Sequence, residues 1–382
     1  MTTTQAMTEC WTEKEIRQQP DMWRQTQASV SAYQAKTAAF LQPLLAMSDL
    51  RILLTGAGSS AFIGDTIAPI LAKKLQVPVI SVSTTDMVSD PTGYLPEHCP
   101  LLIVSFARSG SSPESLAALT IAEQRNPRCF HLIVTCNPQG ALYQRYHNEK
   151  NALILPIPAQ TCDRGFAMTS SMSSMMLGCM AAFECEGTDR ISVDVLANSV
   201  SLLLEQQKNM QSSPLQVAGV KRIIWLGSGC LQGIAHESAL KILELTAGKT
   251  ATFYESPVGF RHGPKSLIDN ETQVIILVSN HPYTRSYDLD LLAELRNDAI
   301  ARNVTAISGQ QDAAIEQGDY FYLPNAQHFS DSQLVLGFLV FAQIYAVAQS
   351  IHFSFEPDNP SPQGFVNRVV KGVNIYPWHT EQ

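Results

Sequence analysis

Short runs of consecutive apolar residues, each followed by a stretch with helical spacing, recur along this chain. Arg51-Ile-Leu-Leu-Thr55 leads through Gly56-Ala-Gly58 into a helical stretch, Ala61 to Leu75. Arg222-Ile-Ile-Trp-Leu226 leads through Gly227-Ser-Gly229 into another, Ile234 to Ala247. The echo continues in order: Leu101–Ser105 against Val274–Val278, His131–Thr135 against Val304–Ser308, and Leu153–Gln160 against Phe321–Gln327. Matching order and offsets indicate a tandem duplication.

Strands that are apolar throughout, without in/out alternation, are covered on both faces. The pattern therefore predicts an α/β fold: two doubly wound parallel sheets, each sandwiched by helices. Leading helices fill roughly residues 12–48, so the division reads as a helical segment 1–48, a first domain 49–210 and a second domain 211–382. A helix over Val193–Lys208 and a linker at Gln211-Ser-Ser-Pro214 separate the two. Pro357 to Pro362 reads as a loop before a last segment, Val366 to Trp378.

Composition narrows the class. The 382 residues are enough for two full cores, and 45% apolar with 16% charged residues is ordinary globular usage. A net charge of −8 with no basic cluster argues against nucleic acid or an acidic membrane as partner, and an anionic substrate would be held mainly by backbone N–H groups and hydroxyls. Eight cysteines without a C-x-x-C pair read as free thiols of a reducing cytoplasm. Met1 to Pro20 has no apolar core of a secretion signal. The most apolar stretch, Leu334 to Ala348, is short for a bilayer span and reads as a core helix. Apolar helices such as Met172–Phe183 and Leu334–Ile351 exceed what one small sheet face needs, which points to association.

In such sheets ligands sit beyond the C-terminal strand ends, at helix N-termini. Two loops meet that description: Gly56-Ala-Gly-Ser59-Ser60, and Arg108-Ser109-Gly110-Ser111-Ser112 before Pro113. Pro113 suits a first helical position, so Ser109, Ser111 and Ser112 stand at a helix entrance with free N–H groups, where an anion is favoured. An ordinary serine cap on a glycine-rich turn remains the plain alternative. Asp163 to Ser171, including Thr169, opens a later helix that would face the same crevice. The glycine turns lack the third glycine and the acidic residue of a dinucleotide site, and no Gly-Lys-Ser/Thr is present.

The chemistry-bearing stretch is Glu237-Ser-Ala-Leu-Lys241-Ile-Leu-Glu244. The spacing i, i+4, i+7 puts two carboxylates and an amine on one stripe of an otherwise apolar helix. Arg261-His262-Gly-Pro264 follows on a loop. A carboxylate with a nearby histidine suits proton transfer. A solvent-facing Glu–Lys–Glu ladder and an exposed loop histidine are the alternatives. The helix follows the second G-x-G, which places the stripe at the second domain's crevice. No metal-binding pattern is present.

Together these motifs resemble the sugar isomerase (SIS) family, from about residue 45 to the end, and are similar to the isomerase half of the glucosamine-6-phosphate synthases. Thr55–Asp65, Asp163–Ser171, Gly259–Ser266 and His281–Arg285 carry a narrower likeness to the amino-sugar phosphate branch. The resemblance implies an enzyme without cofactor or metal that converts galactosamine-6-phosphate to tagatose-6-phosphate and ammonia. Its partners would be a phosphorylated amino sugar or ketose phosphate and further copies of itself, as a homodimer or larger homo-oligomer.

By the same resemblance Ser59, Ser60, Arg108, Ser109, Ser111, Ser112 and Thr169 bind phosphate and sugar hydroxyls. Glu244 is the carbon acid/base, burial raising its basicity. His262 assists ring opening, in its own or a neighbour's site. Glu237 and Lys241 stand at the sugar end, and Lys371 meets the ketose carbonyl. Ala107 stands where the family has a serine and Arg108 where it has a glutamine, which redistributes the phosphate contacts. With no glutamine-hydrolysing domain ahead of the match, the implied direction is catabolic. A simple aldose–ketose isomerase or a deglycase would use the same residues. A non-catalytic sugar-phosphate sensor is a different class, and such sensors carry a DNA-binding helical domain for which the forty-odd residues before Leu50 are too few and too acidic.

Overall fold

The structure is a computed structural model, and it describes residues 10–207, 220–368, 370 and 372–379. The linker expected at 211–214, the boundary at 210/211 and Lys371 lie outside the described residues.

Three leading helices, α1 (Trp11–Arg17), α2 (Gln19–Ala32) and α3 (Gln34–Leu45), precede the first sheet unit. That unit runs β1 (Arg51–Thr55), α4 (Ser59–Leu75), β2 (Val79–Ser81), α5 (Thr84–Ser89), α6 (Pro91–Tyr94) and β3 (Leu101–Ala107). It continues through α7 (Pro113–Arg125), β4 (Cys129–Thr135), α8 (Ala141–Tyr146), β5 (Ala152–Pro156) and α9 (Ser170–Ala182). A long α10 (Arg190–Gln206) follows. The second unit runs β6 (Arg222–Gly227), α11 (Cys230–Leu245), β7 (Ala251–Glu255), α12 (Pro257–Phe260), β8 (Thr272–Val278) and α13 (Pro282–Asp298). It closes with β9 (Asn303–Ser308), β10 (Tyr320–Tyr322) and α14 (Asp331–His352).

Both sheets are wholly parallel, and they share one topology: β2-β1-β3-β4-β5 and β7-β6-β8-β9-β10. The strand order reverses between β1 and β3 and again between β6 and β8, which creates a crevice at each place. Strands β3 and β8 are buried along their whole length, Ser105 in β3 and Thr272 and Gln273 in β8 included, as strands covered on both faces are. The edge strands β2 and β7 were not anticipated. Their residues are half-exposed and partly polar, so they lack the apolar run that marked the others.

Helices α4 and α11 pack against each other antiparallel. Gly233 permits the approach, because a Cβ there would fall 2.6 Å from the Thr66 backbone nitrogen. Helix α14 extends beyond its apolar sequence run and is long enough to cross a membrane, yet it is buried inside the fold. Helix α9 is likewise enclosed, with α2 laid across it. The apolar excess expected to drive association is therefore absorbed within the chain by the leading helices and α10, which cover α9 and α14.

Candidate active site

The chain leaves β3 at Ala107 and turns at Gly110, whose φ of 64° suits glycine. It enters α7 at Pro113, with Ser112 as N-cap accepting from Ser115 N–H at 3.4 Å. A pocket of about 100 Å³ lies against this entrance. Ser109 and Ser112 line it from one side, Ser60 and Met168 from another, and Arg108 and Arg368 complete the wall. Free N–H groups at a helix start and two guanidinium groups favour an anion. Glu114, in the first turn of α7, also reaches the pocket, and its Oε2 has no partner.

The serines divide. Ser112 Oγ lies 2.6 Å from Ser115 Oγ, and Ser115 is a pocket residue that the sequence did not single out. Ser111 is exposed, and its hydroxyl accepts from Ala141 N–H at 3.3 Å, so it serves the neighbouring loop rather than the pocket. Thr169 is buried and donates its hydroxyl to Asp163 Oδ1 at 2.8 Å. That hydroxyl is thus engaged within its own loop, and Thr169 does not line the pocket. Asp163 accepts from the N–H and hydroxyl of Thr169, Ser170 and Ser171 and so caps α9.

Two arginines change the expected balance of backbone and hydroxyl contacts. Arg108 is buried and donates to Arg368 O at 2.8 Å and Phe166 O at 3.4 Å. Burial, then the Arg368 charge, lowers its pKa, with Asp163 and Glu244 opposing. Arg368 donates its Nε to Gly165 O at 3.1 Å and also bonds Asp163 O. It comes from the last part of the chain, and no sequence spacing connects it to the loop it meets. Beneath them Glu15 accepts from Arg164 N–H and Gly165 N–H, tying α1 to the same loop.

Glu237, Lys241 and Glu244 run from the middle of α11 to its C-terminal end and face the first crevice, not the second. At about 1.5 Å per residue, Glu244 stands ~21 Å along the helix from Cys230 and the second glycine turn. The antiparallel packing of α4 on α11 brings Ser59 to Glu237, and Glu244 acts electrostatically on Arg108. Lys241 Nζ is 3.3 Å from Glu237 Oε1 and closer still to Glu244 Oε2.

Burial pushes the Glu237 carboxyl up to about 7, Lys241 pulls it down and Glu244 adds to the rise. Burial opposes the Lys241 ammonium, but the two carboxylates outweigh it and its pKa is raised. The burial expected for Glu244 thus belongs to Glu237, while the Glu244 side chain stays 22% exposed, open to a ligand.

His262 is exposed in the turn after α12. No hydrogen bond or ion pair joins it to the α11 trio among the described residues. Its neighbour Arg261 is spent on Glu294 at 2.7 Å and Asp290 at 2.8 Å. No group of three or more His, Cys, Asp or Glu that could hold a metal occurs among the described residues.

The SIS domain family model matches residues 44–185 and 216–349. The D-galactosamine-6-phosphate deaminase AgaS of Escherichia coli is 51% identical over 98% of this chain and 97% of its own length. The Shewanella sp. (strain ANA-3) protein of that name is 42% identical over 96% and 92%. The crystal structure of tagatose-6-phosphate ketose/aldose isomerase from Escherichia coli superposes with a TM-score of 0.92 at 48% identity, covering 99% of this chain and 100% of that one.

Proposed function

The chain belongs to the SIS domain family and is an enzyme acting on a phosphorylated sugar, and from that premise we propose that it converts galactosamine-6-phosphate and water to tagatose-6-phosphate and ammonia. One observation carries the chemistry: a buried ammonium held between two carboxylates beside an arginine- and serine-lined pocket.

In this reading Ser109, Ser112, Arg108 and Arg368 take the phosphate, with Ser60 beside it. Glu244 removes the C2 proton of the open-chain amino aldose, giving an enolamine, and returns a proton to C1. One carboxylate serves both carbons because they are adjacent. The Lys241 ammonium offsets the charge that develops on O1. Glu237 and Ser59 hold Lys241 in place at the sugar end. The resulting C2 ketimine takes up water and releases ammonia. His262, exposed and joined to the trio of its own chain by no hydrogen bond or ion pair among the described residues, assists ring opening from a neighbouring copy in a homo-oligomer.

The division at 1–48, 49–210 and 211–382 stands as part of this reading. So does a cytoplasmic location, which suits eight free thiols.

A second reading is simple isomerisation, favoured by the name of the superposed Escherichia coli structure. Parallel incubation with galactosamine-6-phosphate, glucosamine-6-phosphate and tagatose-6-phosphate separates the two. Equimolar ammonia and ketose from the galacto substrate supports the deaminase. Ketose–aldose interconversion without ammonia from any amino sugar supports the alternative.

A further inference from the structure

Two of the eight cysteines meet at the wall of the anion pocket, and the reaction uses neither. Cys136 directly follows β4 and is buried, while Cys162 opens the loop that leads to α9 and is half-buried. Both thiols turn to one acceptor: Cys136 Sγ lies 3.6 Å and Cys162 Sγ 3.9 Å from Arg108 O. The two side chains also hydrogen-bond each other, Cys136 donating.

The two sulfurs differ in character. The hydrogen bond from Cys136 pulls the Cys162 thiol below its usual range. Burial opposes the fall, the Arg368 and Arg108 guanidinium groups add to it, and Asp163 resists it. The same hydrogen bond and burial keep Cys136 a thiol. A part-exposed thiolate beside positive charge is the form that attacks a peroxide, and a neighbouring thiol is the form that resolves the product. In reducing compartments such disulfides are transient and sensing.

Backbone connects the pair to the pocket. Arg108 O accepts from both thiols, and joining the sulfurs removes both donors from a buried carbonyl. Cys162 also begins the stretch whose carbonyls seat the two arginines. Asp163 O and Gly165 O accept from Arg368, and Phe166 O accepts from Arg108.

We propose that Cys136 and Cys162 form a peroxide-sensitive pair whose disulfide unseats Arg108 and Arg368 and weakens phosphate binding. The Cys162 thiolate attacks a peroxide oxygen, the O–O bond breaks, and Cys162 sulfenic acid and hydroxide result. The Cys136 sulfur then attacks the sulfenic sulfur, the S–O bond breaks, and the departing hydroxide takes the Cys136 proton as water. With the proton that Cys162 shed on ionising, two thiols lose two electrons and one hydrogen peroxide becomes two waters. The effect on affinity rests on the pocket being the phosphate site; the cross-link does not.

The full chain, treated with hydrogen peroxide, alkylated and digested, is expected to yield a peptide pair joined through Cys136 and Cys162. Its Kd for labelled tagatose-6-phosphate, by equilibrium dialysis, should rise about fivefold and return to the starting value with dithiothreitol. Dithiothreitol does not restore an oxidised methionine, so recovery separates the disulfide from oxidation of Met168 in the same pocket. Cys162→Ser should bind as wild type does before treatment and keep that Kd after it. In Cys136→Ser, which lacks the resolving thiol, dimedone should label Cys162. No cross-linked peptide from peroxide-treated wild type would overturn the proposal, and so would a complete cross-link with Kd unchanged. Reduced protein that binds no tagatose-6-phosphate would count against the functional reading alone. The cross-link and the dimedone label would still carry the thiol pair, and their absence would sink it.

Discussion

Lys241 Nζ lies 3.3 Å from Glu237 Oε1, and both side chains are sealed from solvent on a helix that also carries Glu244. An ammonium buried between two carboxylates neutralises charges that could not otherwise be held there. Lys241→Met leaves Glu237 sealed with no counter-charge, and the expected loss is about 3–5 kcal/mol of stability. The double change Glu237→Gln/Lys241→Met should recover most of it. Urea unfolding of the three proteins measures this, and a single variant as stable as wild type would show that the pair is not structural.

The pH dependence of stability follows from the same carboxyl. Burial raises the folded Glu237 pKa from 4.5 to about 7, so the native state holds a proton that the unfolded chain has released. The stabilisation is complete below about pH 4.5 and is lost as pH rises through 7. Glu15, pushed up to about 7 by burial and Asp163, and Asp288, pushed up to about 6 by burial, act in the same direction. Replacing Glu237 with Gln should flatten the decline between pH 4.5 and 7 by up to about 1.4 kcal/mol per pH unit. Unfolding free energies at pH 5 and pH 7 test this; parallel profiles for variant and wild type would contradict it.

The division of the serines is open to kinetics. Ser109→Ala removes a hydroxyl from the pocket and should raise KM for the phosphorylated sugar about fivefold with kcat nearly unchanged. Ser111→Ala, whose hydroxyl faces the Ala141 amide, should leave both constants at wild-type values. Equal effects of the two changes would mean that the loop binds phosphate in another conformation.

Much of this was legible in the sequence because it is local. Unbroken apolar runs marked the central strands, and the glycine and serine turns marked the crevice loops. The i, i+4, i+7 spacing put Glu237, Lys241 and Glu244 on one stripe. What stayed hidden depends on packing between distant segments. The antiparallel contact of α4 with α11 moved the trio from the second crevice to the first, and nothing within α11 announces its partner. Arg368 reaches Gly165 across 203 positions, and Asp163 draws Thr169 away from the pocket, because chain order carries no record of either meeting. Edge strands β2 and β7, exposed on one side, need no apolar run and left no trace of one.

Proton transfer by Glu244 is the centre of the account, and isotope exchange reads it directly. Galactosamine-6-phosphate incubated in deuterium oxide with wild type should yield ammonia and tagatose-6-phosphate in equal amounts, with solvent deuterium entering at C1. Glu244→Gln should bind the substrate with similar affinity yet lose both products, the C2 hydrogen being retained and the rate falling by roughly 10²–10⁴-fold. Exchange of the C2 hydrogen by Glu244→Gln at a rate near wild type would show that another group is the base.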